Sequence, residues 1–261
     1  MLRLMPAAVR TLTVVLLATV IGVDTSAGAQ AAVTWQPKLA TAVEYAQARH
    51  GSISFAAIGT DGRLRGYRAD TRVPAASVLK VMFMVAYLRR PSVRYRDLND
   101  DDRALLGPMI RRSDNATATR IADILGHRPM YRLADRAGMR DFSYTRPWGL
   151  SRTSARDQAR FMYSLRRHIP TRHRTYAFGL LARIVESQRW GVGRVDTAGW
   201  RKHFKGGWGS GTGAVDHQVV QLRRRSGRHV ALTVMTTGSP SHRYGKRTLR
   251  GVFARLLANL P

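Results

Sequence analysis

The chain has 261 residues, no cysteine and an apolar fraction of 44%. The lack of cysteine excludes a disulfide framework, a thiol nucleophile and a thiolate metal site, while the apolar fraction is that of a globular protein with a substantial core. The charge is unusual, because 44 Lys and Arg against 16 Asp and Glu give a formal net charge of +28. Such a charge predicts attraction to polyanions without choosing among nucleic acid, anionic lipid and cell-wall polymers.

Residues 1–31 have the pattern of a secretory signal peptide. Arg3 and Arg10 supply a positive start, residues 12–23 are apolar, and small residues around Ala29 suit a cleavage site. The apolar stretch is short for a membrane span, and no later segment qualifies. The sequence therefore predicts a secreted, extracytoplasmic protein whose mature domain, residues 32–261, has no transmembrane span. An uncleaved N-terminal anchor is the alternative.

The mature chain alternates between strand-rich ends and a helical middle. Residues 35–50 have a helical period, and two strands, 53–58 and 64–68, surround the Asp61-Gly62 turn. Further helices are predicted at residues 100–106, 116–125, 130–137, 154–165, 176–188 and 244–257, and further strands at 203–208, 215–222 and 229–236. We predict an α+β fold in which a five-stranded antiparallel sheet is flanked by helices. The α/β part comprises residues 32–91 and 193–261, and residues 92–192 form an inserted all-helical subdomain.

Ser77 and Lys80 precede an apolar run that extends to Leu88. On a helix these two residues lie at i and i+3, so their side chains share a face. Lys80 is the only charged residue between Val78 and Leu88, which indicates a buried helix and a desolvated amine with a lowered pKa. Ser77 would lie at the helix N-terminus, where free N–H groups can receive an oxyanion. The alternative is an N-capping serine followed by a snorkelling lysine.

Two further stretches carry polar or flexible residues in suggestive patterns. Ser113-Asp114-Asn115 precedes a helix, where Asp114 or Asn115 could simply be an N-cap. Residues 205–213 contain five glycines, which in a strand indicate close approach of a ligand or another backbone, or else a flexible hairpin loop. Before this strand, the stretch 186–191 either edges a site or caps a helix end, and we expect the cap. The eight histidines show no metal-binding spacing, so we predict no metal and no cofactor.

Taken together, these stretches resemble a known family. Ser77-x-x-Lys80, Ser113-Asp114-Asn115 and Lys205-Gly206-Gly207 resemble the S-x-x-K, S-D-N and K-T-G motifs of class A β-lactamases and penicillin-binding proteins. The stretches 153–157 and 230–239 are also similar to that family. The resemblance covers nearly all of the mature chain.

The resemblance implies a role for each matching residue. Ser77 would be the acylated nucleophile, Lys80 its base, and Ser113 the donor of a proton to the leaving nitrogen. The implied substrate-binding residues are Asn115, Lys205, Gly207 and Trp208. Asn115 would hold Lys80 and the substrate amide, and Lys205 would add positive potential near a substrate carboxylate. The N–H of Trp208 would form the oxyanion hole with that of Ser77.

Two departures from the family pattern affect the expected activity. Gly206 replaces the threonine whose hydroxyl helps to bind a substrate carboxylate. Residues 139–152, where class A enzymes present a glutamate and an asparagine that hold the deacylating water, contain neither residue type. Their only acid, Asp141, comes too early to be a convincing substitute. The acyl-enzyme should therefore form and persist, with poor β-lactam turnover.

The predicted function is an exported active-site serine hydrolase that is acylated at Ser77 by a β-lactam, a D-alanyl peptide or a related amide or ester. Its partners would be a small molecule or cell-wall peptide as substrate and, as a further candidate, an anionic cell-envelope polymer. The alternative is a non-catalytic cell-envelope binding protein on the same fold. Specific nucleic-acid binding is not expected, because no recognition motif accompanies the charge. We expect a monomer.

Overall fold

The computed structural model describes Leu2 and residues 35–261. Apart from Leu2, the predicted signal peptide lies outside the described residues, so its prediction remains untested. Among the described residues, no helix combines the length and the apolar character needed to cross a membrane.

A five-stranded antiparallel sheet forms the centre of the fold. The strands of the chain are β1 (Ser52–Ile58), β2 (Leu64–Tyr67), β3 (Val73–Pro74), β4 (Arg152–Thr153), β5 (Arg201–Gly209), β6 (Val215–Arg223) and β7 (His229–Thr237). The main sheet has the order β2-β1-β7-β6-β5, and β3 pairs with β4 in a separate ribbon. The pairing of β1 with β7, in which Phe55 lies opposite Val234, joins the two ends of the chain. This confirms the predicted sheet.

Helices cover the sheet and form the middle block. They are α1 (Ala40–Gln47), α2 (Lys80–Leu88), α3 (Pro91–Arg94), α4 (Asp100–Arg111), α5 (Asn115–Leu125), α6 (Arg128–Ala137), α7 (Ala155–His168), α8 (Arg174–Ala182) and α9 (His242–Leu256). α7 packs on β1, β6 and β7, while α9 packs on β6, β7 and α1. Nearly every residue of β6 and β7 is buried, which indicates that both faces of the sheet are covered.

The buried helix predicted from the apolar run is present as α2. All nine of its residues are buried, and it contacts α4, α5 and α6. A helix enclosed in this way holds its first residue, Lys80, away from bulk water. The turn that precedes Lys80, at the N-terminal end of α2, contacts β5 and β6 of the sheet.

Two predicted helices are shorter than their patterns suggest. The first begins at Ala40 instead of residue 35, because the backbone of Trp35 pairs with Thr60 through hydrogen bonds of 2.8 and 3.2 Å. α8 ends at Ala182 instead of residue 188, since the Val185 N–H donates to the Arg111 carbonyl at 3.1 Å. In both places a tertiary hydrogen bond takes the donor or acceptor that a longer helix would use.

Candidate active site

Ser77 lies in a short 3-10 turn, Ala76–Leu79, that leads directly into α2. Ser77 was expected at the N-terminus of this helix, and the structure gives that end of the helix a 3-10 conformation before the α-helix begins at Lys80. Ala76 has φ of +45°, a left-handed conformation that is strained for a residue with a Cβ. The turn is anchored by Ala75, whose N–H donates to the Ser151 carbonyl at 2.7 Å. Ser77 is only 8% exposed, so its hydroxyl sits in a confined place.

Lys80 is the first residue of α2 and has no exposed surface. Its amine donates to the Ser113 carbonyl at 2.5 Å, to Asn115 Oδ1 at 2.7 Å and to Ser113 Oγ at 3.3 Å. Burial lowers the pKa of Lys80 to about 7, although the nearby Asp114 carboxylate acts in the opposite direction. Within the described residues, no hydrogen bond joins this amine to Ser77. A neutral amine near pH 7 can nevertheless accept a proton once the site tightens around a substrate.

In the polar turn before α5, the three neighbouring residues Ser113, Asp114 and Asn115 have different contacts. Ser113 has φ of +59° and is nearly buried. Asp114 is the N-cap, since its Oδ1 accepts from the Thr117 N–H at 2.7 Å. Asn115, the first residue of α5, is left to bind Lys80. The capping alternative therefore holds for Asp114, whereas Ser113 and Asn115 lie at the site.

Lys205 reaches the same point from β5. Its buried amine donates to Ser113 Oγ at 2.8 Å and to the Gly206 carbonyl at 2.7 Å. Burial, and to a lesser degree the charge of Lys80, lower the pKa of Lys205 well below its usual range. The Ser113 hydroxyl oxygen thus accepts from both lysines. Burial therefore disfavours the charged form of the Lys205 amine.

β5 runs directly against the Ser77 turn at Gly207. A Cβ on Gly207 would stand 2.9 Å from the backbone nitrogens of both Ser77 and Val78, so no other residue fits without a backbone shift. This contact brings Trp208, the next residue, beside Ser77. The flexible-loop alternative is wrong for residues 205–209, which form a regular part of β5.

The segment 139–152 covers Lys80 with an aromatic ring. The Lys80 amine lies 5.0 Å from the centre of the Trp148 ring. Trp148 also donates from Nε1 to Thr119 Oγ1 at 3.0 Å and packs edge-on against Phe83 at 5.8 Å. Asp141 is held elsewhere, since its N–H donates to Asp157 Oδ2 at 2.8 Å. The position of Trp148 was not predicted from the sequence, where its only signal is a single tryptophan between Pro147 and Gly149.

Trp190 is a second residue whose position the sequence did not indicate. It is 8% exposed, and its ring lies so close to Gly206 that a Cβ there would stand 2.7 Å from two ring atoms. The stretch around Trp190 therefore edges β5, in contrast to the helix cap that was expected. Among residues 35–261, no three His, Asp or Glu side chains are grouped so that they could hold a metal.

Comparison with known proteins assigns the chain to a family. A model described as the beta-lactamase enzyme family matches residues 102–260, which is more than half of the chain. The chain therefore belongs to the beta-lactamase enzyme family. It is thus a β-lactamase-like serine hydrolase by fold and family. No curated protein matches the sequence.

Solved structures with the same fold are numerous. The chain is similar to a β-lactamase from Sphaerobacter thermophilus, with a TM-score of 0.73, 22% identity and coverage of 85% of this chain and 96% of the other. An ancestral class A β-lactamase (GNCA) gives a TM-score of 0.70 at 18% identity, with 84% and 98% covered. A PBP-A mutant, solved as an acyl-enzyme complex with penicillin G, gives 0.69 at 18% identity, with 85% and 95% covered. At these identities the likeness establishes the fold.

Proposed function

We propose that this protein is an exported serine hydrolase whose Ser77 is acylated by a β-lactam, a D-alanyl peptide or a related amide or ester, and that it releases the acyl group slowly. One observation carries the proposal: the Lys80 and Lys205 amines converge on the Ser113 hydroxyl beside the Ser77 turn. Such a cluster of buried amines and one hydroxyl connects a base to a proton donor.

In the proposed acylation step, Lys80 and Ser113 each accept and donate one proton. Neutral Lys80 accepts the Ser77 proton while Oγ bonds to the substrate carbonyl carbon, and the N–H groups of Ser77 and Trp208 stabilise the oxyanion. The carbonyl–nitrogen bond then breaks, and Ser113 donates its proton to the leaving nitrogen. Ser113 can be reprotonated from Lys80, since the Lys80 amine lies 3.3 Å from its hydroxyl oxygen.

Slow release is supported by what surrounds Lys80. Its described partners are Ser113, Asn115 and the Trp148 ring, none of which is a carboxylate that could activate water. Hydrolysis of an acyl-enzyme needs such a base and such a water. The PBP-A mutant, solved as an acyl-enzyme complex with penicillin G, is a precedent on this fold for the acylation step.

The test is to incubate residues 32–261 with penicillin G and with a chromogenic cephalosporin. We expect intact-mass analysis to show one stable adduct per chain, located on Ser77, without sustained colour development. The adduct should be absent in Ser77→Ala, and its formation should slow by at least about 10²-fold in Lys80→Met. Rapid continuous turnover would contradict slow release. A lack of labelling by both β-lactams and a fluorophosphonate would contradict acylation itself.

A further inference from the structure

His217 is a buried histidine of β6 that the proposed acylation step does not use. Its side chain has no exposed surface, and it lies opposite Gly207 in the sheet. Residues that face each other across an antiparallel pair direct their side chains to the same face. A Cβ on Gly207 would point at the backbone nitrogens of Ser77 and Val78. The His217 ring therefore lies on the face of the sheet that the Ser77 turn contacts.

Two hydrogen bonds hold the His217 ring and assign its proton. The Thr236 N–H donates to Nδ1 at 3.2 Å, and Nε2 lies 2.9 Å from the Pro74 carbonyl oxygen. A backbone N–H only donates and a carbonyl only accepts, so the neutral ring with its proton on Nε2 satisfies both partners. Burial favours this neutral ring, because it lowers the pKa of His217 to about 4, although the Pro74 and Asp216 carbonyls act in the opposite direction.

The peptide group that His217 contacts leads into the Ser77 turn. Pro74 is the last residue of β3, and its carbonyl shares a planar peptide group with the N–H of Ala75. That N–H donates to the Ser151 carbonyl at 2.7 Å. Both polar atoms of this peptide group are thus bound, one by β6 and the other by the segment before β4, which fixes its orientation.

The backbone at Ala76 shows why the orientation of that peptide group matters. Ala76 has φ of +45°, a conformation that a residue with a Cβ keeps only where the surrounding structure imposes it. The peptide group before it is bound at both ends, and the backbone after it lies against Gly207. Release of the Pro74 carbonyl would allow Ala76 to relax and would displace the Ser77 hydroxyl.

We propose that His217 is a positioning residue for acylation: its Nε2–H holds the Pro74 carbonyl and thereby keeps the Ser77 hydroxyl and N–H in their reactive orientation. The inference rests on the proposed acylation of Ser77. His217 acts through the backbone, because its ring is enclosed in the protein. A displacement of the reacting hydroxyl by about 1 Å costs about 10²-fold in rate, since bond formation depends on the geometry of approach.

The test separates the two ring nitrogens with two amide side chains. In His217→Asn, Oδ1 replaces Nδ1 as the acceptor for Thr236, but the side chain is too short to reach the Pro74 carbonyl. In His217→Gln, the amide nitrogen replaces Nε2 as the donor. Penicillin G acylation, followed by intact mass over a range of concentrations, should have a maximum rate about 10²-fold lower in His217→Asn and within about threefold of the unchanged protein in His217→Gln. The half-saturating concentration should change by less than about threefold in both variants.

His203→Asn is the matched control. His203 is a second buried histidine of the sheet, on β5, and its ring packs edge-on against Phe178 at 4.9 Å. We expect this variant to lose stability but, once its folded fraction is measured by urea unfolding, to acylate at an unchanged rate. An unchanged rate in folded His217→Asn, equal rates in His217→Asn and His217→Gln, or an equal loss in His203→Asn would overturn the inference. Nitrogen NMR of the unchanged protein at pH 7 needs no variant, and a His217 proton on Nδ1 would also overturn it.

Failure of acylation is distinguishable from failure of this inference. If neither penicillin G nor a fluorophosphonate labels Ser77, the acylation proposal fails, and hydrogen exchange then decides whether His217 holds the turn. Peptides that cover residues 75–80 should exchange faster in His217→Asn than in His217→Gln or His203→Asn. Equal exchange in the three variants would overturn the role of His217.

Discussion

Among single residues, Lys80 is the group on which the proposed acylation depends. Three hydrogen bonds hold its amine, the Trp148 ring covers it, and burial brings its pKa to about 7. A lysine in this state is a neutral base for about half of the molecules at neutral pH, in contrast to the protonated amine of an exposed lysine. Its environment, rather than its residue type, makes it a base.

The acylation rate should therefore depend on pH. Only neutral Lys80 accepts the Ser77 proton, so the rate of adduct formation should rise by about tenfold per pH unit below pH 7 and level off above it. Stopped-time intact-mass measurements between pH 5.5 and 9 give the profile. A flat profile, or a midpoint near the ordinary lysine value, would contradict Lys80 as the base.

Two variants should move that midpoint in opposite directions. Trp148→Ala exposes the Lys80 amine to water, which should raise its pKa and shift the profile to higher pH. Asp114→Asn removes the carboxylate that favours protonated Lys80, and asparagine still caps α5, so this profile should shift to lower pH. The same pH series measures both, with Tyr95→Ala as the unshifted control. Shifts in the same direction would contradict this account of the Lys80 pKa.

At the scale of elements, the site exists because β5 and the Ser77 turn are in backbone contact. The contact leaves no space for a side chain at Gly207. α5 then brings Ser113 and Asn115 towards the same junction, across a distance of 92 residues along the chain between Ser113 and Lys205. A strand edge, a 3-10 turn and a helix start thus position groups that no single element could assemble.

The Gly207 contact can be tested by one added methyl group. Gly207→Ala should lower the free energy of unfolding by about 1–3 kcal/mol through overpacking. It should also slow acylation by about 10²-fold, because Ser77 and its N–H are displaced. Urea unfolding and intact mass measure the two effects.

Gly211→Ala is the matched control for this prediction. Gly211 follows the same strand, and a Cβ there would meet no atom within 4 Å. We expect its unfolding free energy to stay within about 0.5 kcal/mol of the unchanged protein. If both variants behaved alike, the close approach of β5 to the Ser77 turn would not explain the glycine.

In the molecule as a whole, part of the arginine excess lies in a surface groove. One groove of about 570 Å³ is lined by residues that include no acid: Arg89, Arg94, Tyr95, Arg167, Ile169, Pro170, Thr171, Arg172 and Arg174. Together with the formal charge of +28, this groove supports the proposed affinity for an anionic polymer. The binding would be electrostatic and would accompany the enzymatic function.

We expect polyphosphate binding to weaken by at least about tenfold between 50 and 300 mM NaCl, as counterions compete for the groove. Arg94→Gln with Arg172→Gln should weaken binding more than Arg243→Gln with Arg250→Gln, an exposed pair on α9 that removes the same charge. Fluorescence anisotropy measures the affinities. Salt-independent binding, or equal losses from both double variants, would contradict a specific groove.

Most helices and strands, and the polar residues of the candidate site, could be predicted from the sequence. Apolar periodicity is local, so it predicted the five strands and the buried helix after Ser77. The three short motifs identified Ser77, Lys80, Ser113, Asn115 and Lys205 before their proximity was visible. Glycine at 207 likewise indicated close approach, although not what approached.

The side chains that enclose those residues could not be predicted from the sequence. Trp148 covers Lys80 and Trp190 fills the space beside Gly206, yet both lie in irregular segments without a period that would reveal their direction. Their positions depend on single hydrogen bonds to distant residues, from Trp148 to Thr119 and from Gln218 to the Trp190 carbonyl. Such contacts arise from packing between elements, which a local pattern does not encode, and they fix which side chains surround Lys80 and Gly206.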